Sequence, residues 1–282
     1  MNIVHEMLAR YEQNTAADRT NAMREVMQDI ALAGLHRGGF FDRAAFYGGT
    51  CLRIFHGLPR YSEDLDFSLL APDKNFALDP YFDSLKQEFE ALGFSVEIQA
   101  KQKTVGSDIA SAFLKKTASQ YDVQVRADKI LKIKFEVDTD PPLGFETEEK
   151  LLLQPYSFFV RCFTLPDLFA GKMHALLFRP WKSRVKGRDW FDFEWYARKG
   201  IVLNREHLAI RAVQSGHLDS EHGQLDKVAL GELLAAKIES LDVDSARADV
   251  ARFLRDLTQT EIWSQEYFRE LGRRVIDASV PA

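Results

Sequence analysis

Asp64 and Asp66 stand one residue apart in the run YSEDLDFSLL, and Lys134, Glu136 and Asp138 keep the same spacing in ILKIKFEVD, residues 130–138. In a strand, alternate side chains share a face. Asp64 and Asp66 then lie together, opposite Leu65 and Phe67, while Lys134, Glu136 and Asp138 lie opposite Ile133, Phe135 and Val137. If the two strands are neighbours, three or four carboxylates converge on one patch. Carboxylates that close repel one another unless a cation sits among them. An all-oxygen donor set suits Mg²⁺ or Mn²⁺. An acidic pair by itself also fits the wet face of a half-buried strand, so a second signal is needed.

The second signal is just upstream, in FYGGTCLRIFHG. Gly48 and Gly49 read as a tight turn between a strand and a helix, with Thr50 placed to cap the first helical turn. Such a junction offers unpaired N–H groups and the positive end of a helix dipole to a phosphate. A phosphate cradle followed by a metal-binding strand is the combination that nucleotidyl transfer needs, because a divalent cation neutralises triphosphate oxygens.

The elements that must position these residues follow from pattern. A helix is expected across roughly 18–36, short strands at 44–47 and at DLDFSLL, a helix at YFDSLKQEFEALG ending on Gly93, and a strand at FSVEIQA. The strand at 130–138 runs until Pro141 and Pro142. This is a β-α-β rhythm. After Pro166, suited to a first helical turn, the spacing becomes 3.6 residues almost to the C-terminus. The expectation is an α/β domain over 1–165, a mixed sheet with flanking helices, and an α-helical domain over 166–282 that closes the cleft.

Composition narrows the function classes. With 282 residues and 46% hydrophobic content, the chain is expected to fold as a soluble globular protein. No apolar run approaches a membrane span of about eighteen residues, and the N-terminal segment lacks the blocks of a secretory signal, so the cytoplasm is the expected compartment and no membrane partner is expected. Cys51 and Cys162 are the only cysteines, which points to reduced core residues rather than a disulfide framework or zinc site. A net charge of −5 disfavours an all-round nucleic-acid coat but leaves room for a local basic surface.

GGTCLRIFHGLPRYSEDLDF resembles the first motif of the AbiEii/AbiGii toxin family, nucleotidyltransferases of the polymerase-β-like superfamily that includes the MenT toxins. The matching residues are Gly48, Gly49, Arg60, Ser62, Asp64 and Asp66. LKIKFEVD is similar to the second motif through Lys134 and Glu136. LPDLFAGKMHALLFRPWKSRVKGRDWFDF is similar to the third and fourth through Lys172, Arg179, Arg188, Asp189 and Asp192. The resemblance spans about residues 46–195, and the helices beyond residue 200 carry no matching motif.

The resemblance implies a polymerase-β-like fold and transfer of a nucleoside monophosphate from an NTP to an acceptor hydroxyl, with pyrophosphate leaving. Asp64, Asp66 and Glu136 would bind Mg²⁺, possible replacement by Mn²⁺ included, and Glu136 or Asp138 could be the third carboxylate, with Glu136 preferred. Gly48, Gly49, Thr50, Arg60 and Ser62 fall on the nucleotide side of the motif. Lys172 and Arg179, seven apart and hence on one helix face, would meet triphosphate oxygens. Asp189 and Asp192 would orient Lys172 or bind base or ribose. The implied biology is a toxin of a toxin–antitoxin or phage-defence pair, with RNA (tRNA) as acceptor and a cognate antitoxin as partner. Rival readings are the same chemistry on a protein or small molecule, and a catalytically silent nucleotide- or RNA-binding module.

Two groups in the helical half read as ordinary structure. His174 falls on a different side of its helix from Lys172 and reads as packing or surface. Trp190, Phe191, Phe193, Trp195 and Tyr196 follow helical spacing and read as core rather than a base-stacking platform. RPWKSRVKGR, residues 179–188, holds five Lys or Arg in ten positions and would suit an RNA backbone.

Overall fold

The four strands expected from the sequence join three others in a seven-stranded mixed sheet. The computed structural model describes residues 3–101, 118–126, 130–179, 185–219 and 225–278. In chain order its first elements are α1 (Ile3–Ala9), α2 (Ala16–Arg37), β1 (Ala44–Tyr47), α3 (Gly48–His56), β2 (Asp64–Leu69), α4 (Phe82–Ala91), β3 (Ser95–Lys101), β4 (Ala118–Arg126), β5 (Ile130–Asp138), β6 (Thr147–Leu152) and β7 (Phe158–Phe163). The sheet order is β3-β4-β5-β2-β1-β7-β6. Strand β2 runs antiparallel to β1 and parallel to β5.

The chain separates into two compact units. The first comprises residues 1–56, 62–141 and 147–162, and the second comprises 57–61, 142–146 and 163–282. In the first, the apolar face of the central strands makes the core: Leu65, Phe67, Ile133, Phe135 and Val137 are all fully buried. Phe67 is its hub, with ring centroids 5.2 Å from Phe46, 4.9 Å from Phe40 and 6.1 Å from Phe135. Burying side chains of this size contributes roughly 2 kcal/mol each, which fixes the register and so which face the acidic residues occupy.

Helix α2 sets the position of β2. Its start is specified by a reciprocal cap, in which the Asp18 N–H donates to Thr15 Oγ1 and the Thr15 N–H donates to the Asp18 carboxylate, both at 3.0 Å. Further along, the Gln28 side chain donates to the carbonyls of Ser62 and Glu63 at 3.1 and 3.2 Å, holding the chain just before Asp64.

The same helix buries two carboxylates. Glu25 accepts from Arg53 at 2.8 Å, and Asp29 accepts from Arg10 at 2.9 Å. Burial pushes the Asp29 pKa up to about 7, against the pull of Arg10 and with a small push from Glu25. A carboxyl whose folded pKa lies above its unfolded value favours the fold most below about pH 4, and that contribution is lost as pH rises towards 7. Stability should therefore carry a falling component across this window, on the order of a few kcal/mol. Thermal melts from pH 4 to 8 check this: Asp29→Asn should flatten the slope, and an unchanged slope would exclude Asp29 as its source.

The second unit is helical, with α5 (Leu165–Phe178), α6 (Gly187–Lys199), α7 (Arg205–Gln214), α8 (Lys227–Glu239), α9 (Val243–Ala251) and α10 (Gln265–Ala278). Pro166 occupies the first turn of α5, where its missing N–H costs nothing. Gly187 opens α6 against the backbone of Ala246, where a Cβ would collide, and its N–H donates to Asp249 at 2.9 Å. Trp190, Phe193 and Tyr196 are almost fully buried, with Phe191 and Trp195 nearly so, as core packing requires. Phe169 of α5 stacks on Tyr196 with centroids 4.2 Å apart. Among the described residues no helix is long and apolar enough to cross a membrane.

Candidate active site

Parallel pairing of β2 with β5 brings Asp64 opposite Lys134 and Asp66 opposite Glu136. Both strands turn these residues to the side away from the phenylalanine core. Asp64, Asp66, Lys134, Glu136 and Asp138 are each part-exposed, whereas their neighbours in between are buried. The carboxylates thus gather because the strands are adjacent and in step, and neither strand could achieve this alone.

A cation already stands among them. The Lys134 ammonium is ion-paired and hydrogen-bonded to Glu136, and the charges of Asp64 and Asp66 also act on it. Burial works to lower the Lys134 pKa, but the bond to Glu136 and the three surrounding carboxylate charges outweigh it and hold it above the ordinary value. The lysine is firmly charged.

The glycine turn meets this patch directly. Gly48 has φ +82°, a left-handed value that side chains disfavour, and a Cβ there would lie 3.0 Å from Cβ and Cγ of Asp66 and overlap its carboxylate. Only glycine lets the backbone approach Asp66 this closely. Helix α3 starts at Gly48, three residues earlier than the sequence reading has it. Thr50 is therefore inside the first turn rather than capping it. Its buried hydroxyl donates to the Asp64 carbonyl and ties α3 to β2. The N–H groups of Gly48, Gly49 and Thr50 belong to that first turn, which has no carbonyl within the helix to bond. Ser62 is buried beside the start of β2.

Asp64, Asp66 and Glu136 suit a hard divalent cation in chemistry and in register. Among the described residues, however, no three His, Cys, Asp or Glu side chains are gathered at ligand spacing. Glu136 is engaged with Lys134 instead.

The remaining motif residues lie in the helical unit, around Asp192. Asp192 is fully buried and accepts two bonds at 2.6 Å from Arg60 Nε and Nη2, while Lys172 Nζ stands 2.7 Å from its Oδ2. Burial alone would raise the Asp192 pKa; the two cations outweigh it and hold the group below the usual carboxylate range. Arg60, 2% exposed, also donates Nη1 to the Tyr61 carbonyl, so each of its nitrogens is spent within the protein. Lys172 keeps part of its side chain accessible. Arg179 is half-exposed and faces the buried Asp189 at 3.5 Å.

The guanidinium of Arg188 lies over the Phe253 ring at 4.2 Å. His174 is buried, bonded through Nε2 to Ser215 Oγ at 2.8 Å, and burial drives its pKa down to about 3, so it packs as a neutral ring. Within the basic run, residues 180–184, including Lys182 and Arg184, lie outside the described residues, while Arg179, Lys186 and Arg188 are within them. Sequence reasoning missed Gln28, a polar residue inside a helix whose role depends on a contact 34 positions away.

Comparison with known proteins places the chain in a family and a fold. A family model described as nucleotidyl transferase AbiEii toxin, type IV toxin–antitoxin system, matches residues 30–272. Two solved structures are similar in fold. The crystal structure of JHP933 from Helicobacter pylori superposes with a TM-score of 0.56 at 18% identity, covering 92% of this chain and 93% of that one. A candidate nucleotidyltransferase from H. pylori gives a TM-score of 0.51 at 20% identity, covering 90% of this chain and 92% of that one. No curated protein sequence matches the chain.

Proposed function

Because the chain belongs to the AbiEii nucleotidyl transferase toxin family of type IV toxin–antitoxin systems, we propose that it transfers a nucleoside monophosphate from an NTP to a hydroxyl of RNA, with tRNA as the acceptor and Mg²⁺ as the cofactor. The observation that carries this reading is the register of β2 and β5, which sets Asp66 beside Glu136 on the face that Gly48 approaches.

Asp64, Asp66 and Glu136 would hold the cation, which supplies positive charge to the triphosphate. The N–H groups of Gly48, Gly49 and Thr50, at the start of α3, bind phosphate oxygens. Lys172, aimed by Asp192, and Arg179, near Asp189, offset charge that grows on the phosphates in the transition state. Arg60 acts at one remove: it holds Asp192, which holds Lys172. The acceptor oxygen attacks the α-phosphorus, the bond from that phosphorus to the bridging oxygen breaks, and pyrophosphate departs with the electron pair. Glu136 assists removal of the hydroxyl proton.

The acceptor assignment rests on the family resemblance and on the cations of the 179–188 run. A cognate antitoxin is the expected partner of such a toxin. Incubating the purified protein with each α-labelled NTP, Mg²⁺ and total RNA is the direct test. Label should appear in a band of tRNA size and should disappear with EDTA. Label appearing in protein or in small molecules would move the acceptor class, and no transfer from any NTP would leave a binding module.

A further inference from the structure

The carboxylates of the candidate site hold an internal cation. Lys134 lies opposite Asp64 in the β2–β5 register, its ammonium is paired with Glu136, and it feels the charges of Asp64 and Asp66. Lysine and carboxylates share one face of the sheet, so the ammonium is within the same patch that a divalent cation would enter.

Two further observations give this pairing a role. With Glu136 on Lys134, no three acidic side chains among the described residues are gathered at ligand spacing. Lys134 is also about one-third exposed, on a four-carbon stem with freedom to swing out of the patch. Three carboxylates side by side without any cation would repel one another. An internal ammonium relieves that repulsion in the metal-free protein.

We propose that Lys134 is a positioning residue that serves as a placeholder for the divalent cation: it pairs with Glu136 and offsets part of the charge of Asp64 and Asp66 in the metal-free protein, and it releases Glu136 when the metal enters. The placeholder keeps the strand face in order without metal, and it weakens metal binding because the lysine must be displaced. Metal loading thereby becomes coupled to the arrival of the NTP, whose own negative charge draws the cation in and gives the displaced ammonium a new partner.

This inference rests on the metal reading of the site, and the two can be separated by measuring binding of Mn²⁺ alone to the full chain, by electron paramagnetic resonance of free Mn²⁺ or by calorimetry, together with melting temperature in EDTA. Lys134→Met should bind Mn²⁺ more tightly than the parent, on the order of tenfold at low salt, since a unit charge a few ångströms from the cation is removed. The same variant should melt below the parent in EDTA and recover more than the parent does on adding Mn²⁺. Lys134→Gln, a polar replacement, should behave alike and serves if the methionine variant folds poorly.

Weaker or unchanged Mn²⁺ binding in both variants, with parental binding still dependent on Asp66, overturns the placeholder and leaves the metal site standing. Binding that ignores Asp66→Asn in every background overturns both.

Discussion

Asp66→Asn is expected to abolish transfer while leaving the protein folded. Asparagine keeps the size of the side chain, and Gly48, which has no Cβ to collide with it, still accommodates it. What is lost is one unit of negative charge in the set proposed to hold the cation. If the cation contributes about 4 kcal/mol of transition-state stabilisation, the rate falls by roughly a thousandfold when it is no longer held. Growth arrest on induced expression should disappear in parallel. Circular dichroism and the melting temperature check the fold, and label transfer from NTP checks the chemistry. A folded Asp66→Asn variant with parental transfer would remove Asp66 from the reaction, and one with parental toxicity would separate the harm from this site.

The strands of this site were legible because their two faces differ so sharply. Leu65 and Phe67 between acidic residues, and Ile133, Phe135 and Val137 between Lys134, Glu136 and Asp138, leave one register that buries the apolar set. The bounds of β1 and β5 match the sequence expectation residue for residue. Strands β6 and β7 were not legible. TEEKLL is mostly polar and exposed, and FFVRCF is a short apolar run, equally at home in a buried helix turn until its partner β1 is known.

The side-chain network was legible only in part. Spacing places Lys172 and Asp192 on helices, and the resemblance leaves open whether Asp192 orients the lysine or meets a ligand; in the structure the two side chains stand 2.7 Å apart. Arg60 carries the family motif and Thr50 lies beside its glycines, yet their side chains bond to Asp192 and to the Asp64 carbonyl. No local pattern announces a partner 132 positions away, as Asp192 is from Arg60. A motif names residues that go together without saying which of them touch the ligand and which hold the others in place.

That distinction gives Asp192 two separable tasks. With Arg60 at 2% and Asp192 at 0% exposure, their bidentate pair is a buried one, and breaking such a pair costs roughly 3–5 kcal/mol because the remaining charge is left in the interior. Asp192→Asn should therefore lower the melting temperature of the helical unit by about 10 °C and should also release Lys172. Lys172→Met should do the second without the first: its partner Asp192 stays satisfied by Arg60, so melting changes little, while transfer falls about a hundredfold or more if the ammonium meets the transition state. The combined replacement Arg60→Met with Asp192→Leu removes both buried charges in similar volume and should regain most of the stability that Asp192→Asn loses. It should regain none of the activity, since Lys172 would still lack the carboxylate that aims it. Thermal melts and label transfer on the three variants decide the matter: recovery of transfer in the double variant would show that Lys172 needs no guide, and a large melting loss in Lys172→Met would make the lysine a structural member of the cluster instead.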